Sequence, residues 1–414
     1  MNWGMTRELK THVKSIIRQV RERGDSTLVE FTKKFDNISL DAEDFLTTHE
    51  DIEDAYDKVN EQQISALRLM KERIETIEKR RLEQVSITVE DNGIEVRSLP
   101  HPIQSVGCYV PGGNARYPST LVMTVTPAKI AGVPRVVVCS PPTNIGVINP
   151  LTLVAADICK ADEIYKLGGP QAIAALAYGT ESVRPVRKIV GPGNKYVTMA
   201  KVLVSRSVAI DMPAGPSELL VLADENANPR IVALDMISQA EHGVDSVSGL
   251  VTTSKGLAKN VINELRMMTP SLIRGKIVTD ALSRHGFIII CETMSEMIKF
   301  VNTFAPEHLE VITKEPAEVA EKIVSAGLIL IGTYAPVSAS DYCIGTNHVL
   351  PTSGFGHVLS GLSVLDFVKR VNLVRCSKEG LIRLRNSIKV LAEAENLPNH
   401  FLAVEGRFEL AESG

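Results

Sequence analysis

Four absences narrow what this 414-residue chain can be. Its six cysteines (Cys108, Cys139, Cys159, Cys291, Cys343 and Cys376) are scattered, and none forms a CxxC pair. Neither a disulfide framework nor a thiolate zinc site is indicated. No apolar run approaches membrane-spanning length, and the N-terminus (MNWGMTRELK) has no signal-peptide core. An intracellular, cytoplasmic protein is therefore expected. Positive charge is not in excess: a net charge of -4 speaks against nucleic-acid binding through bulk electrostatics. A GxGxxG fingerprint is also missing, so no single motif announces a dinucleotide. What remains is ordinary globular composition, 44% hydrophobic and 23% charged, on a chain longer than one core usually supports.

Periodicity divides the chain. Thr6 is placed to cap a helix with Leu9, Val13, Ile16, Ile17 and Val20 on one face and Gly24 as its stop. A long polar helix is expected from about Asp51 to Leu82. From about Gln104, short β-branched runs alternate with helical stretches. Strands are expected at Arg135 to Cys139, Glu163 to Leu167, Lys188 to Val190, Val208 to Asp211 and Leu219 to Ala223. The rhythm resumes after Pro229, with strands at Gly249 to Thr252, Gly286 to Cys291, Leu309 to Ile312 and Leu328 to Ile331. Such alternation predicts βαβ units and parallel sheets covered on both faces. Two successive α/β blocks are also the pattern an internal duplication leaves. A last helix is expected from Lys378 to about Glu395.

Five groups of residues carry possible chemistry. Residues 332 to 361 show neither helical nor strand periodicity, and they hold Asp341, Tyr342, Asn347 and His348. A long loop of this composition suits a site for a metal or a polar substrate. Gln239 and His242 lie three residues apart at the end of a helix begun by Asn228 and Pro229, with Gly243 as its stop. Together they can ligate a metal, although a helix-terminal His also interacts with the end carbonyls. Glu307 and His308 adjoin between a helix and a strand and can exchange protons near neutral pH, or form a solvated turn. Glu395 and His400 follow the last helix, where a His is commonly just exposed. Glycine-rich turns occur at Tyr109 to Gly113, Gly168 to Gln171, Gly191 to Asn194 and Ala214 to Glu218. Each follows or lies near an expected strand, and each either serves a ligand cleft or closes a βαβ unit.

Read in order, these motifs resemble the histidinol dehydrogenase family. The resemblance spans nearly the whole chain: Val20-Arg21 and Arg23 to Asp25, YVPGG at 109–113, GPGN at 191–194, AGPSE at 214–218, SQAEH at 238–242, APEHLE at 305–310 and GTNHVLPT at 345–352. It implies an oxidoreductase that converts L-histidinol to L-histidine in two NAD-dependent steps through L-histidinal, with one zinc per subunit. The implied zinc ligands are Gln239, His242, Asp341 and His400. Glu307 and His308 match the acid–base pair. Ser217, His348 and Glu395 match substrate contacts, and substrate also meets the four ligands and His308. Tyr109, Gln171 and Asn194 match positions that contact NAD. The resemblance further implies a homodimer whose tail crosses to its partner, so that Glu395 and His400 complete the other subunit's site.

The implied fold is α/β: two incomplete Rossmann-like parallel-sheet domains with helical N- and C-terminal extensions. Boundaries are expected at 1–108 with 217–362 for a first domain that includes the N-terminal helices. Residues 109–216 then form a second, NAD-binding domain, and 363–414 a helical tail. Before the key loop the chain departs from the family, with Val337 in place of the usual Glu and Ser340 in place of Gly. A carboxylate that could tune metal affinity is thereby missing. A nitrogen–oxygen ligand set suits zinc and is compatible with manganese or cobalt. Other readings are a dehydrogenase of another polar alcohol, a zinc hydrolase using Glu307 as base, and a non-catalytic scaffold. The number of polar side chains gathered on separate loops speaks against the last.

Overall fold

The structure is a computed structural model that describes residues 6–112 and 117–412; Gly113 of the YVPGG turn lies outside the described residues. Thirteen strands lie among the described residues. They are β1 (Ile87–Asp91), β2 (Ile94–Pro102), β3 (Val106–Tyr109), β4 (Val136–Ser140), β5 (Glu163–Lys166), β6 (Lys188–Val190), β7 (Ala209–Ile210), β8 (Glu218–Ala223), β9 (Val247–Thr252), β10 (Gly286–Ile290), β11 (His308–Ile312), β12 (Leu328–Ile331) and β13 (Val368–Cys376). The chain divides into two units, 1–79 with 102–367, and 80–101 with 368–414.

The larger unit holds two five-stranded parallel sheets, ordered β5-β4-β3-β6-β7 and β10-β9-β8-β11-β12. Both therefore run third, second, first, fourth, fifth. This repeated order accords with two duplicated blocks, and it is the Rossmann-like α/β architecture the sequence predicts. Every residue of β4 and of β8 is buried, as apolar runs between helical layers require. In each sheet the strand order reverses between the first and fourth strands, at β3/β6 and β8/β11.

The first helix, Arg7–Arg23, starts where Thr6 accepts the Leu9 N–H (3.1 Å) and stops at Gly24. Its apolar face does not join the 217–362 block, as the sequence expectation had it. Leu9, Val13, Ile17 and Val20 share a core with Leu28, Tyr109, Val137, Ile173 and Val197 and so cover the sheet of β3–β7. The expected boundary at 108/109 likewise cuts through β3, which lies wholly in that sheet. The turn glycines end the strand rather than begin the domain.

Two further elements differ from expectation. The long polar helix is two helices, His49–Tyr56 and Glu61–Glu83. Asn60 breaks it by capping the second: its Oδ1 accepts the Gln63 N–H (2.9 Å), and Gln63 returns the bond to the Asn60 N–H (3.1 Å). Within the aperiodic stretch 332–361 lies a short helix, Val337–Tyr342, too brief to show a period.

In the smaller unit, β1 and β2 form an antiparallel hairpin, with β2 between β1 and β13. Its turn is Asn92-Gly93, both with positive φ (48° and 83°), the pairing that matches strand twist. Two helices follow, Lys378–Ala394 and Pro398–Glu412. The tail expected from 363 thus contains a strand and draws on residues 80–101. Among the described residues, no helix is long and apolar enough to cross a membrane.

Leu28 is fully buried in the core that joins the N-terminal helices to the first sheet. Leu28→Ala should lower unfolding stability by about 2–5 kcal/mol in denaturant titration. A loss under about 1 kcal/mol, the scale of an exposed substitution, would mean these helices are not part of that core.

Candidate active site

The parallel register of β8 and β11 sets the centre of the site. Leu219 lies opposite His308, so Glu218 and Glu307 enter their strands side by side at the amino edge of the sheet. The Glu218 N–H donates to Glu307 Oε2 (2.7 Å), and the Glu218 carbonyl faces His308 Nδ1 (3.3 Å). A carbonyl only accepts, so Nδ1 carries the hydrogen and Nε2 is the basic nitrogen. That Nε2 is buried without a hydrogen-bond partner, 4.0 Å from Asp341 Oδ1. Burial alone would lower the His308 pKa, but the Glu307 and Asp341 charges outweigh it and hold the imidazole above its ordinary value.

Three elements bring the metal-type donors to the same edge. Gln239 occupies the last turn of the helix Pro229–Ala240, and His242 follows that helix's end, held by its N–H to the Gln239 carbonyl (3.3 Å). The helix stops before Gly243, the expected end. Asp341 comes from the short helix Val337–Tyr342, with Oδ2 3.6 Å from His242 Nε2. The carboxylate raises the pKa of His242. Burial opposes ionisation of Asp341, but His242, His348 and His308 together lower its pKa. Gln239 is 1% exposed and its amide nitrogen has no partner. Turned by half a rotation, the amide places an unsatisfied oxygen there instead, a metal-type donor. An amide, an imidazole and a carboxylate fit a divalent cation as part of a set. Among the described residues, no group of three or more His, Cys, Asp and Glu side chains could hold a metal ion. Glu395 ends the helix Lys378–Ala394, and His400 lies in the helix Pro398–Glu412; both are exposed in the smaller unit.

The conspicuous loop is anchored from both sides. Asn347 Nδ2 donates to the Met123 carbonyl (2.7 Å), and its Oδ1 accepts the Val349 N–H (2.9 Å). Gly345, at φ 102°, lies against the Glu61–Glu83 helix, where a Cβ would be 3.0 Å from the Arg73 carbonyl oxygen. His348 Nδ1 faces the Asp341 carbonyl (2.9 Å) and Nε2 faces the Thr120 hydroxyl (3.1 Å). Both ring nitrogens are therefore engaged, and burial lowers the His348 pKa toward the neutral form. Ser217, directly before β8, is half-buried, and its carbonyl accepts the Val247 N–H (2.9 Å).

The expected cofactor residues lie at the carboxyl edge of the other sheet. Tyr109 ends β3, and its hydroxyl accepts the Gly169 N–H (3.0 Å). Gln171 is buried with both amide atoms unpartnered, which suits a polar ligand group. Asn194 is exposed, and its Oδ1 caps the helix Lys195–Val204 through Tyr196 and Val197 N–H groups. That cap is a structural duty alongside any ligand contact.

Sequence reasoning gave no role to Glu218, Thr120, Asp235 or Glu310. The first and last head or interrupt wholly buried strands (ELLVLA and HLEVI), and a carboxylate in such a strand is the signal that could have found them. Glu310 Oε1 accepts the Val337 N–H (2.6 Å), and its carboxyl lies beside that of Asp235. Burial first, then its neighbour's charge, raises Glu310 well above the ordinary range, and burial takes Asp235 to about 6. This pair and the Val337 N–H link the elements that carry Gln239, His308 and Asp341. Ser340 is fully buried, with its hydroxyl donating to the Val337 carbonyl (2.7 Å).

A buried Glu–His pair beside metal-type donors, at the amino edge of one of two Rossmann-like sheets, fits an α/β enzyme. A family model described as histidinol dehydrogenase matches residues 4–408. The histidinol dehydrogenase of Methanocaldococcus jannaschii is 46% identical over 97% of this chain and 93% of its own. That of Clostridium acetobutylicum is 44% identical over 97% and 93%. The crystal structure of histidinol dehydrogenase from Elizabethkingia anophelis superposes with a TM-score of 0.94 at 36% identity, over 98% of this chain and 94% of that one. The chain belongs to the histidinol dehydrogenase family, oxidoreductases of histidine biosynthesis.

Glu218 yields a pH prediction. Burial first, then the Glu307 charge, raises its pKa from 4.5 to about 7. The folded state therefore binds more protons than the unfolded state across that window, and stability falls as pH rises through it. The stability of the wild type minus that of Glu218→Gln should fall by up to about 3 kcal/mol between pH 4.5 and 7 in denaturant titrations. Parallel stability curves would show that Glu218 ionises normally.

Proposed function

We propose that the enzyme oxidises L-histidinol to L-histidine in two NAD-dependent steps through L-histidinal, closing histidine biosynthesis. The reading has it act as a cytoplasmic homodimer with one zinc per subunit. The observation that carries it is the Glu307–His308 pair, held by the backbone N–H and carbonyl of Glu218 with the imidazole Nε2 unpartnered beside Asp341, in a chain that matches the family along its length.

Gln239, His242 and Asp341 would hold the zinc, with His400 supplied by a second copy. Exposed apolar side chains on the last two helices, Leu391 (61%) and Leu402 (62%) among them, support a partner for that tail. When bound, the metal orients the imidazole and amine of histidinol, and NAD accepts a hydride at each oxidation. Tyr109, Gln171 and Asn194 receive the nucleotide. Ser217, His348 and the partner-facing Glu395 contact substrate, and at His348 this requires the Thr120 hydroxyl to give way.

In the first oxidation His308 Nε2 takes the hydroxyl proton, leaving the aldehyde as the hydride departs. Glu307 then deprotonates a water that adds to the aldehyde carbon. As the water adds, His308 returns its first proton to the aldehyde oxygen to form the hydrate; neutral again, it removes a hydroxyl proton as the second hydride leaves, and the acid so formed loses its proton to give the carboxylate. One water and two NAD are consumed per histidinol, which balances the four electrons removed.

Glu307→Ala and His308→Ala should each lower kcat for the full conversion of histidinol to histidine by about a hundredfold or more, as loss of a general acid or base does. Turnover within a few-fold of wild type for both variants would remove them from the chemistry.

A further inference from the structure

Beneath the glycine turn that follows β6 lies an ion pair that the chemistry above does not use. Lys201, on the helix Lys195–Val204, is 1% exposed, and its ammonium pairs with Asp211, whose side chain is fully buried. Taking both charges out of water is costly, and apolar replacements of such pairs are often neutral or stabilising. Packing alone is therefore a poor account of this pair.

Both partners grip one residue. The Lys201 ammonium donates to the Gly191 carbonyl (2.8 Å), and the Gly191 N–H donates to Asp211 Oδ2 (2.7 Å). The peptide groups on either side of Gly191 are thus fixed from below. Gly191 sits at φ 109°, and a Cβ there would lie 2.2 Å from the Tyr109 carbonyl oxygen. Only glycine fits, and glycine is the residue least able to hold such a conformation by itself. The turn it opens, Gly191 to Asn194, leaves β6 at the carboxyl edge of the sheet. There β6 lies beside β3, where the strand order reverses and open α/β sheets bind their ligands.

We infer that Lys201 and Asp211 are positioning residues for the nucleotide, holding the Gly191-to-Asn194 turn in the conformation that receives NAD. The inference rests on the proposed placement of NAD at this edge.

Two double variants avoid stranding a buried charge: Lys201→Met with Asp211→Asn, and Lys201→Met with Asp211→Leu, which leaves no polar group at all. NAD binding to the full-length enzyme is measured by calorimetry, alongside Asn194→Ala. Whichever double variant folds should bind NAD about tenfold more weakly, as loss of hydrogen bonds to charged groups implies. Its kcat at saturating NAD and its KM for histidinol should stay within about twofold, because the catalytic residues lie on the other sheet. Unchanged NAD affinity overturns the inference. So does a joint fall in melting temperature, kcat and both affinities, the mark of a purely structural pair. If Asn194→Ala weakens NAD binding and the double variants do not, the clamp alone is wrong. If neither change affects NAD affinity, the placement of the nucleotide falls with it.

Discussion

The backbone of one residue, Glu218, organises the catalytic edge. Glu218 offers its N–H to Glu307 and its carbonyl to His308, and parallel pairing of β8 with β11 puts it where it can do both. The strand register therefore decides which imidazole nitrogen is basic and fixes the acid beside it. A one-residue slip would turn these side chains to the opposite face. Burial is what makes the arrangement reactive and also what makes it costly. Glu218 is pushed to about 7, and burial raises both Asp235 and Glu310 above the ordinary carboxylate range. The apolar interiors of both sheets supply the stability against which these buried carboxyls are set.

The two sheets share a strand order but not a use. In the first, the proposed nucleotide site lies at the carboxyl edge, where glycines follow β3 and β6. In the second, the equivalent crevice is closed. Asp224 accepts hydrogen bonds from the Asn226 backbone (2.9 Å), the Asn226 side chain (3.1 Å) and the Lys314 N–H (2.8 Å), joining the ends of β8 and β11. Chemistry has the opposite, amino edge of that sheet instead. The loop of Asp341 and His348 joins the two edges, reaching the first sheet's segments through Thr120 and through the Gly215 N–H, which donates to the Thr352 hydroxyl (2.5 Å).

Much of this was legible in the residues. Buried parallel strands announce themselves as apolar runs, so β4 to β12 fall close to expectation. The Thr6 cap and Gly24 stop also predict their helix. The N-terminal helices were misplaced because amphipathicity shows that a face is buried but not against what. The Asn60 break was hidden inside a continuous polar pattern, although its reciprocal bond with Gln63 has a capping-box signature. The Asn92-Gly93 hairpin had a readable turn signal between alternating strands. Of the candidate site, Gln239, His242, Asp341, Glu307 and His308 do converge on one edge of one sheet. Glu218 and Glu310 escaped notice because each belongs by sequence to a strand, and their proximity to Glu307 and Asp235 arises only from pairing and packing. The full engagement of His348 is equally invisible to a linear reading, since Thr120 is 228 residues away.

The central claim is that Glu307 and His308 divide the chemistry, with His308 serving both oxidations and Glu307 the addition of water between them. Counting NADH formed per histidinol consumed, in the wild type and in Glu307→Gln, tests it most directly. The account predicts a ratio near two for the wild type and near one, with the aldehyde left over, for the variant. A ratio near one in the wild type, or near two in both at comparable rates, would contradict it.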